Sequence, residues 1–210
     1  VKNNMVKIVF SDSLTVWKTS FDNSNKKQAL EESFNFIKDN PNTNPTKDLY
    51  TYFIDGKWKL EQYIKFEPAN ELEKIMKAGI KSCLSLADKS YEYIQTNIWI
   101  NRVKKDNPIQ PAYTKEFMFH NHVDTNAADG LPAPLFTFVS YIQMPDNIGE
   151  NEGELIFKDI DEKTYSILPE EGDTIIFNGF VPHAVTLAKD SNLDRIVLAG
   201  SIGIENSKLI

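Results

Sequence analysis

The sequence predicts an α+β fold in which N-terminal helices pack on one sheet of a jelly roll, or double-stranded β-helix. Three observations predict it. The chain has 210 residues, 41% of them hydrophobic, which is enough for one domain with a buried core. In the first half, apolar residues recur at helical spacing. From Gln95 onward, short runs of β-branched and aromatic residues alternate with turn signals, as in two-sheet β folds.

The composition narrows the class of protein. The single cysteine, Cys83, cannot form an internal disulfide, and it lies on an apolar helical stripe where we expect a buried thiol. No window approaches the ~18 consecutive apolar residues of a membrane span, so we expect no membrane partner. The net charge of −7 without a basic run disfavours nucleic-acid binding. The N-terminal residues lack the apolar core of a signal peptide, so we expect a cytosolic protein, and no feature specifies its oligomeric state.

Two helices are predicted ahead of the β-rich half. The first spans Lys26–Asp39, where apolar residues form one stripe and Asn25 with Gln28 predicts a capping box. The second spans Glu71–Tyr93 and is capped by Asn70. Acidic residues in its first turn favour the positive end of the helix dipole.

We predict one domain over 1–210, with mostly helical support in 1–94 and a jelly-roll catalytic core in 95–210. A short strand, Tyr50–Ile54, precedes the second helix. Eight further strands follow at regular spacing. They are Thr96–Val103, Glu116–Val123, Leu135–Met144, Glu154–Phe157, Thr164–Leu168, Asp173–Asn178, Ala184–Leu187 and Arg195–Ile204.

All three histidines of the chain fall in the β-rich half. Alternation on a strand points His120, His122 and Asp124 to the same side. Residues two apart lie ~6–7 Å from each other and can share an ion, whereas residues four apart, ~13 Å away, cannot easily do so. His122 therefore pairs with either Asp124 or His120, and His183 is the remaining histidine that can complete a metal site. Two histidines and one carboxylate form the facial triad that leaves positions open on iron(II).

These residues, with motifs that follow in the same order, resemble the iron(II)/2-oxoglutarate-dependent dioxygenases of the prolyl-4-hydroxylase type, including phage and bacterial members. The resemblance extends over roughly Trp99 to Ile204. The motifs are His122-Val-Asp124, Thr137-Phe-Val-Ser-Tyr141-Ile, Gly153-Glu-Leu-Ile-Phe157 and Pro169-Glu-Glu-Gly172-Asp-Thr-Ile-Ile-Phe177 leading to His183.

The resemblance implies that His122, Asp124 and His183 bind iron(II), with no catalytic residue beyond these ligands. The extra His120 gives a His-x-His that many relatives lack, so His120 stays an alternative to Asp124 as the third ligand.

The resemblance also implies a site for the co-substrate 2-oxoglutarate. Arg195 on the last strand is similar to the arginine or lysine that binds its distal carboxylate. Tyr113, nine residues before His122, and Tyr141 are similar to the assisting tyrosines. Asn101, in a Trp-x-Asn ahead of the histidines, and Thr137 are secondary candidates.

The residues around Arg195 support this assignment independently. Arginine matches a carboxylate bidentately, and the pairing is stronger in a dry interior than at the surface. Arg195 lies twelve residues after His183, which requires a longer hairpin than is usual. The alternative is a surface arginine paired with Asp194 or Glu205. The small or modest residues that share the face of Arg195 by alternation are Val197, Ala199, Ser201 and Gly203.

The implied activity is hydroxylation of an unactivated C–H bond, with 2-oxoglutarate and O₂ consumed, succinate and carbon dioxide released, and ascorbate as a supporting reductant. A peptidyl or prolyl substrate is the first expectation, followed by a small metabolite. One alternative is a cupin-like metalloenzyme that uses His120, His122 and His183 without 2-oxoglutarate. Another is a non-enzymatic jelly-roll binding module, a class that does not require this set of residues.

Overall fold

The computed structural model describes residues 5–40, 49–53, 66–88, 91, 93–103, 119–122, 133–186, 188 and 190–204. Within these ranges the chain forms two helices and ten strands. In chain order these are β1 (Val6–Ser11), β2 (Leu14–Ser20), α1 (Lys26–Asp39), β3 (Leu49–Phe53), α2 (Glu71–Leu86), β4 (Tyr93–Val103), β5 (Pro134–Gln143), β6 (Leu155–Lys158), β7 (Thr164–Ile167), β8 (Asp173–Asn178), β9 (His183–Val185) and β10 (Arg195–Ile204).

The strands form two antiparallel sheets. The large sheet has seven strands in the order β1-β2-β8-β5-β10-β4-β3, and the small sheet has three in the order β7-β6-β9. An isolated bridge between His120 and His183 continues the small sheet beyond β9. Both sheets contribute to one apolar cluster, which includes Phe157 of β6 and Val139 of β5, so they pack face to face. This is the predicted double-stranded β-helix.

The two helices cover the opposite face of the large sheet. Strand β10 alternates accordingly, because Ile196 and Leu198 join the cluster that contains the helices, whereas Val197 and Ala199 join the cluster between the sheets. The approach is close at Gly79 of α2, where an added Cβ would lie 2.4 Å from the ring of Phe138.

The predicted bounds of α1 are confirmed, whereas its predicted cap and the predicted end of α2 are wrong. Helix α1 has the predicted bounds, but the Asn25 side chain makes no cap and donates instead to Glu71, so the predicted capping box is wrong. Helix α2 is capped by Asn70, which accepts from the Glu73 amide at 2.8 Å. It ends at Leu86 rather than Tyr93, because the backbone becomes extended at Ala87 and Tyr93 pairs with β10.

The N-terminal region differs most from the prediction. The hairpin of β1 and β2 was not predicted, and β2 pairs with β8 to extend the large sheet, so this region supplies strands to the jelly roll as well as helical support. The hairpin buries Leu14 and Val16 between the sheets, a contribution to the core that lies far along the chain from the other strands.

Seven of the eight strands predicted after Gln95 occur within a few residues of their predicted bounds. The eighth, Glu116–Val123, falls largely outside the described residues, which contain only 119–122 of it. Across the described ranges, no helix is long and apolar enough to cross a membrane.

Candidate metal centre

Three histidines converge at one end of the small sheet. One ligand nitrogen from each of His120, His122 and His183 lies within 4.8 Å of the others. The ring centroids are 4.2 Å apart for His120 and His183, 4.9 Å for His122 and His183, and 5.3 Å for His120 and His122. Imidazoles at this spacing are donors suited to a divalent transition metal.

Backbone pairing brings these distant residues together. His183 begins β9, where it pairs with Phe157 on one side and His120 on the other. The His120 and His183 amides each donate to the other's carbonyl, at 3.1 and 3.0 Å. The His122 amide donates to the Gly179 carbonyl at 2.9 Å, so the turn after β8 also fixes the proximal histidine.

The ring nitrogens of the two buried histidines are arranged for metal binding. Nδ1 of His183 donates to the Val181 carbonyl at 3.0 Å, which leaves Nε2 as the ligand nitrogen. Nε2 of His122 is buried and has no hydrogen-bond partner among the described residues. A buried nitrogen of this kind costs free energy unless a ligand satisfies it, so the residues present fit a metal ion.

The His122 and His183 imidazoles are buried against aromatic rings, and this burial keeps them neutral. The His122 ring lies 4.9 Å from Trp99, and the His183 ring lies 4.6 Å from Phe177. Burial, with a smaller contribution from His120, lowers the pKa of His122 to about 3. Burial likewise lowers the pKa of His183 well below its ordinary value. Neutral imidazole is the form that binds metal, so the buried pair is ready to coordinate near neutral pH.

Arg195, the first residue of β10, is buried, with 3% of its surface exposed. Its guanidinium carbon lies 5.3 Å from the centroid of the Tyr141 ring. The alternative of a surface arginine is wrong because Arg195 is buried, and the Asp194 carboxylate pairs with Arg102 at 2.6 Å. Glu205, the other alternative partner, lies outside the described residues.

Tyr141 supplies the second polar group of this interior face. Its hydroxyl is buried and makes no hydrogen bond of good geometry within the described ranges. Burial raises the pKa of Tyr141 to about 12, although the charge of Arg195 acts in the opposite direction. The phenol therefore stays neutral and keeps its proton for donation to an anionic ligand.

One stretch of β10 runs from Arg195 to the surroundings of His122. Trp99, which packs on His122, lies opposite Ala199, four residues from Arg195. Four residues of strand span ~13 Å. The Arg195 guanidinium and the His122 ring are closer than this distance between backbones, because both side chains extend inward. Between them, Val197 and Ala199 are of modest size. The face thus has a histidine end and a cationic end, separated by two side chains of modest size.

Of the other predicted site residues, two lie among the described residues and two lie outside them. Asn101 pairs with Val197 and lies on the same face of the large sheet. Thr137 is also buried there, but its hydroxyl is hydrogen-bonded to Ser201 at 3.1 Å. Asp124 and Tyr113 lie outside the described residues.

Sequence reasoning missed the residues that orient the ligands. In the sequence, Trp99 and Phe177 are only members of motifs. In the structure, the Trp99 ring contacts His122 and the Phe177 ring contacts His183. The Val181 carbonyl, which fixes the His183 tautomer, leaves no signal in side-chain pattern. Its position two residues before the histidine is the only hint available.

The chain was compared with protein families and with curated proteins. The model of the 2OG-Fe(II) oxygenase superfamily matches residues 110–202, a little under half of the chain. This range includes His120, His122, Asp124, His183 and Arg195, and the match supports the resemblance at the level of the 2OG-Fe(II) oxygenase superfamily. The family's description names iron(II) and 2-oxoglutarate, the predicted cofactor and co-substrate. No curated protein matches the chain.

Solved structures share the fold at low identity. HygX from Streptomyces hygroscopicus, with nickel and 2-oxoglutarate bound, is 12% identical with a TM-score of 0.51, over 97% of this chain and 84% of that one. A prolyl-4-hydroxylase from Pseudomonas putida is 12% identical with a TM-score of 0.46, over 89% and 86% of the two chains. A 2OG-Fe(II) oxygenase family oxidoreductase from Burkholderia pseudomallei is 12% identical with a TM-score of 0.45, over 96% and 74%.

Proposed function

Because residues 110–202 match the 2OG-Fe(II) oxygenase superfamily, we propose that this protein is an iron(II)- and 2-oxoglutarate-dependent dioxygenase that hydroxylates an unactivated C–H bond. The observation that carries the proposal is the position of a three-histidine cluster and a buried arginine on one interior surface. A structural metal site has no need of the arginine, and a simple apolar core has no need of either.

The proposed iron ligands are His122, Asp124 and His183. The buried, unsatisfied Nε2 of His122 and the fixed tautomer of His183 support the two histidines. Asp124 is proposed on the resemblance, since its spacing from His122 suits a shared ion. Two imidazoles and a carboxylate leave three positions of an octahedral iron open.

Arg195 is the proposed partner of the distal carboxylate of 2-oxoglutarate, assisted by the hydroxyls of Tyr141 and Tyr113. A guanidinium donates two parallel hydrogen bonds to a carboxylate, and burial strengthens the pairing. The neutral Tyr141 hydroxyl donates to the same anion.

Iron(II) and 2-oxoglutarate, when bound, supply the oxidation: 2-oxoglutarate and O₂ are converted to succinate and carbon dioxide while one oxygen atom enters the substrate C–H bond. The residues of this chain would bind iron(II) and 2-oxoglutarate, orient the ligand side chains and exclude bulk water. Trp99 and Phe177 hold the imidazole planes, and the apolar cluster between the sheets keeps bulk water from the buried side of the site.

A peptidyl or prolyl group is the proposed substrate, with a small metabolite as the second choice, and the cytosol is the proposed compartment. The order of the motifs from His122 to His183, similar to that in prolyl hydroxylases, supports this substrate class.

The test is succinate release by the purified protein with iron(II), 2-oxoglutarate and ascorbate, screened against prolyl peptides and metabolites. We expect slow uncoupled succinate formation that a true substrate stimulates. His122→Ala should abolish both metal binding and turnover. A wild-type protein that binds iron(II) yet neither binds nor consumes 2-oxoglutarate would contradict the proposal.

A cupin-like metalloenzyme with three histidine ligands is the second candidate, and the position of His120 favours it. Its ring lies 4.2 Å from that of His183, closer than the ring of His122 does. Matched variants separate the two candidates. Retained metal affinity in Asp124→Ala with loss in His120→Ala supports the cupin-like site, and the reverse result supports the oxygenase triad.

A further inference from the structure

Hydrogen bonds join both ends of the loop between β9 and β10 to the loop between β5 and β6. Near β9, the Thr186 amide donates to the Glu154 carbonyl at 3.0 Å, and the Glu154 amide donates to the Thr186 hydroxyl at 2.7 Å. Near β10, the contacts centre on one carboxylate, that of Asp146. This is the stretch in which Arg195 stands twelve residues after His183.

Asp146 accepts hydrogen bonds from three successive residues of the β9–β10 loop. Its Oδ1 accepts from the Ser191 hydroxyl at 2.9 Å, the Asn192 amide at 2.5 Å and the Leu193 amide at 3.2 Å. Its Oδ2 accepts from the Asn192 side chain at 3.2 Å. Hydrogen bonds to a charged acceptor are the strong ones, so this carboxylate fixes the loop conformation.

The next residue, Asp194, is held through both its backbone and its side chain. Gln143 donates to its carbonyl at 2.7 Å, and Arg102 donates to its carboxylate. The backbone that leads into Arg195 is therefore fixed from β5, from β4 and, through Asp146, from the β5–β6 loop.

The start of β10 also needs this support because its pairing with β5 is irregular. The register shifts between Ile196, which pairs with Gln143, and Val197, which pairs with Tyr141. Such a bulge re-aims the neighbouring side chains and weakens the ladder that would otherwise fix them. Here the side chain of Arg195 lies against Tyr141.

We propose that Asp146 is a positioning residue for 2-oxoglutarate binding: its carboxylate fixes residues 191–193 so that Arg195 is presented beside Tyr141. The inference rests on the proposed function, in which Arg195 binds the distal carboxylate. It explains how a connection longer than is usual still delivers the arginine to a defined place. A misplacement of about 1 Å at such a group is enough to lower binding or turnover strongly.

The experiment measures the affinity of the 210-residue protein for 2-oxoglutarate by calorimetry, with Mn²⁺ bound so that no turnover occurs. We expect binding about tenfold weaker in Asp146→Ala and about threefold weaker at most in Asp146→Asn, which keeps an oxygen acceptor. The affinity for Mn²⁺ itself should be unchanged, which a general loss of structure would not leave intact. If Asp146→Ala does not fold, Asn192→Ala removes one of the four contacts, the 3.2 Å hydrogen bond to Oδ2, and should weaken binding to a smaller extent.

The matched control is Asp159→Ala. Asp159 also accepts from two backbone amides, those of Asp161 and Lys163 at 2.9 and 3.0 Å, but it closes the turn between β6 and β7. Its loss should leave the affinity for 2-oxoglutarate unchanged. Equal weakening in both variants would overturn the positioning role, as would unchanged affinity in folded Asp146→Ala.

Arg195→Met distinguishes failure of the inference from failure of the proposed function. If the wild type does not bind 2-oxoglutarate, the proposed function fails. If Arg195→Met binds 2-oxoglutarate as tightly as the wild type, the arginine is not the anchor, so the role of Asp146 is rejected while the oxygenase proposal stands. If Arg195→Met loses binding while Asp146→Ala keeps it, the oxygenase proposal stands and only the role of Asp146 is rejected.

Discussion

The two faces of β10 show how one strand serves stability on one side and chemistry on the other. Toward the helices it presents Ile196, Leu198 and Ile202, all nearly inaccessible, with Gly200 where Phe138 and Ile98 come close. Toward the small sheet it presents Arg195 and residues of modest size. The helix face of the strand carries apolar side chains, whereas the inner face contains the buried charge of Arg195, and burying a charge costs free energy that burying an apolar side chain does not.

The largest effect is expected on the helix face. Leu198→Ala should lower the free energy of unfolding by about 2–5 kcal/mol, because it opens a cavity among fully buried side chains. Urea denaturation measures this change. The variant should keep the metal affinity of the wild type at low temperature, and a selective loss of metal binding with unchanged stability would break the comparison of the two faces.

On the inner face, Arg195→Met should have the opposite profile. We expect the affinity for 2-oxoglutarate to fall by about 30-fold or more, since two charge-assisted hydrogen bonds are lost. The free energy of unfolding should change by less than in Leu198→Ala, because methionine fills most of the volume of the arginine chain and leaves no large cavity. Lys26→Met, which removes the partner of Glu171 at 2.7 Å, is the control with an intact anchor.

The close approach of α2 to the large sheet predicts a smaller loss of stability in Gly79→Ala. The added Cβ meets the Phe138 ring at 2.4 Å, so the ring or the helix must shift, at a cost of about 1–3 kcal/mol. Gly149→Ala, at an exposed loop position, is the control. A stabilised Gly79→Ala variant, as helix propensity alone would give, would show that the helix is not packed this closely.

The buried histidines predict a pH dependence of the metal-free protein. His122 has a folded pKa of about 3 and an ordinary value of 6.5, and the pKa of His183 is also lowered, so the unfolded chain binds more protons in this window. Stability is therefore full above pH ~6.5 and falls below it, by at most about 1.4 kcal/mol per pH unit for each imidazole.

Urea denaturation between pH 8 and about 4.5, without metal, measures the slope. His122→Asn should reduce it by about half of the histidine contribution. An unchanged slope in that variant would show that His122 is not buried in its neutral form.

The local features that follow from sequence spacing were predicted well. The strands from β5 to β10 and the inward face of Arg195, Val197 and Ala199 follow from two-residue alternation, which needs no knowledge of the partner strand. Helix α2 was predicted too long because Tyr91 and Ile94 continue the apolar period, while pairing with β10 stabilises Tyr93 as strand. The β1–β2 hairpin was missed because its pairing with β8 joins segments far apart in the sequence.

By itself, the sequence determined which residues are candidates for the chemistry and which face of a strand they share, because side-chain type and alternation are local properties. Only the tertiary structure decided that His120 and His183 form a bridge, that Asp194 pairs with Arg102, and that Asp146 holds the loop before Arg195. Each of these contacts joins residues at least 45 positions apart, and the pairing of such residues is fixed by how the strands and loops pack in space.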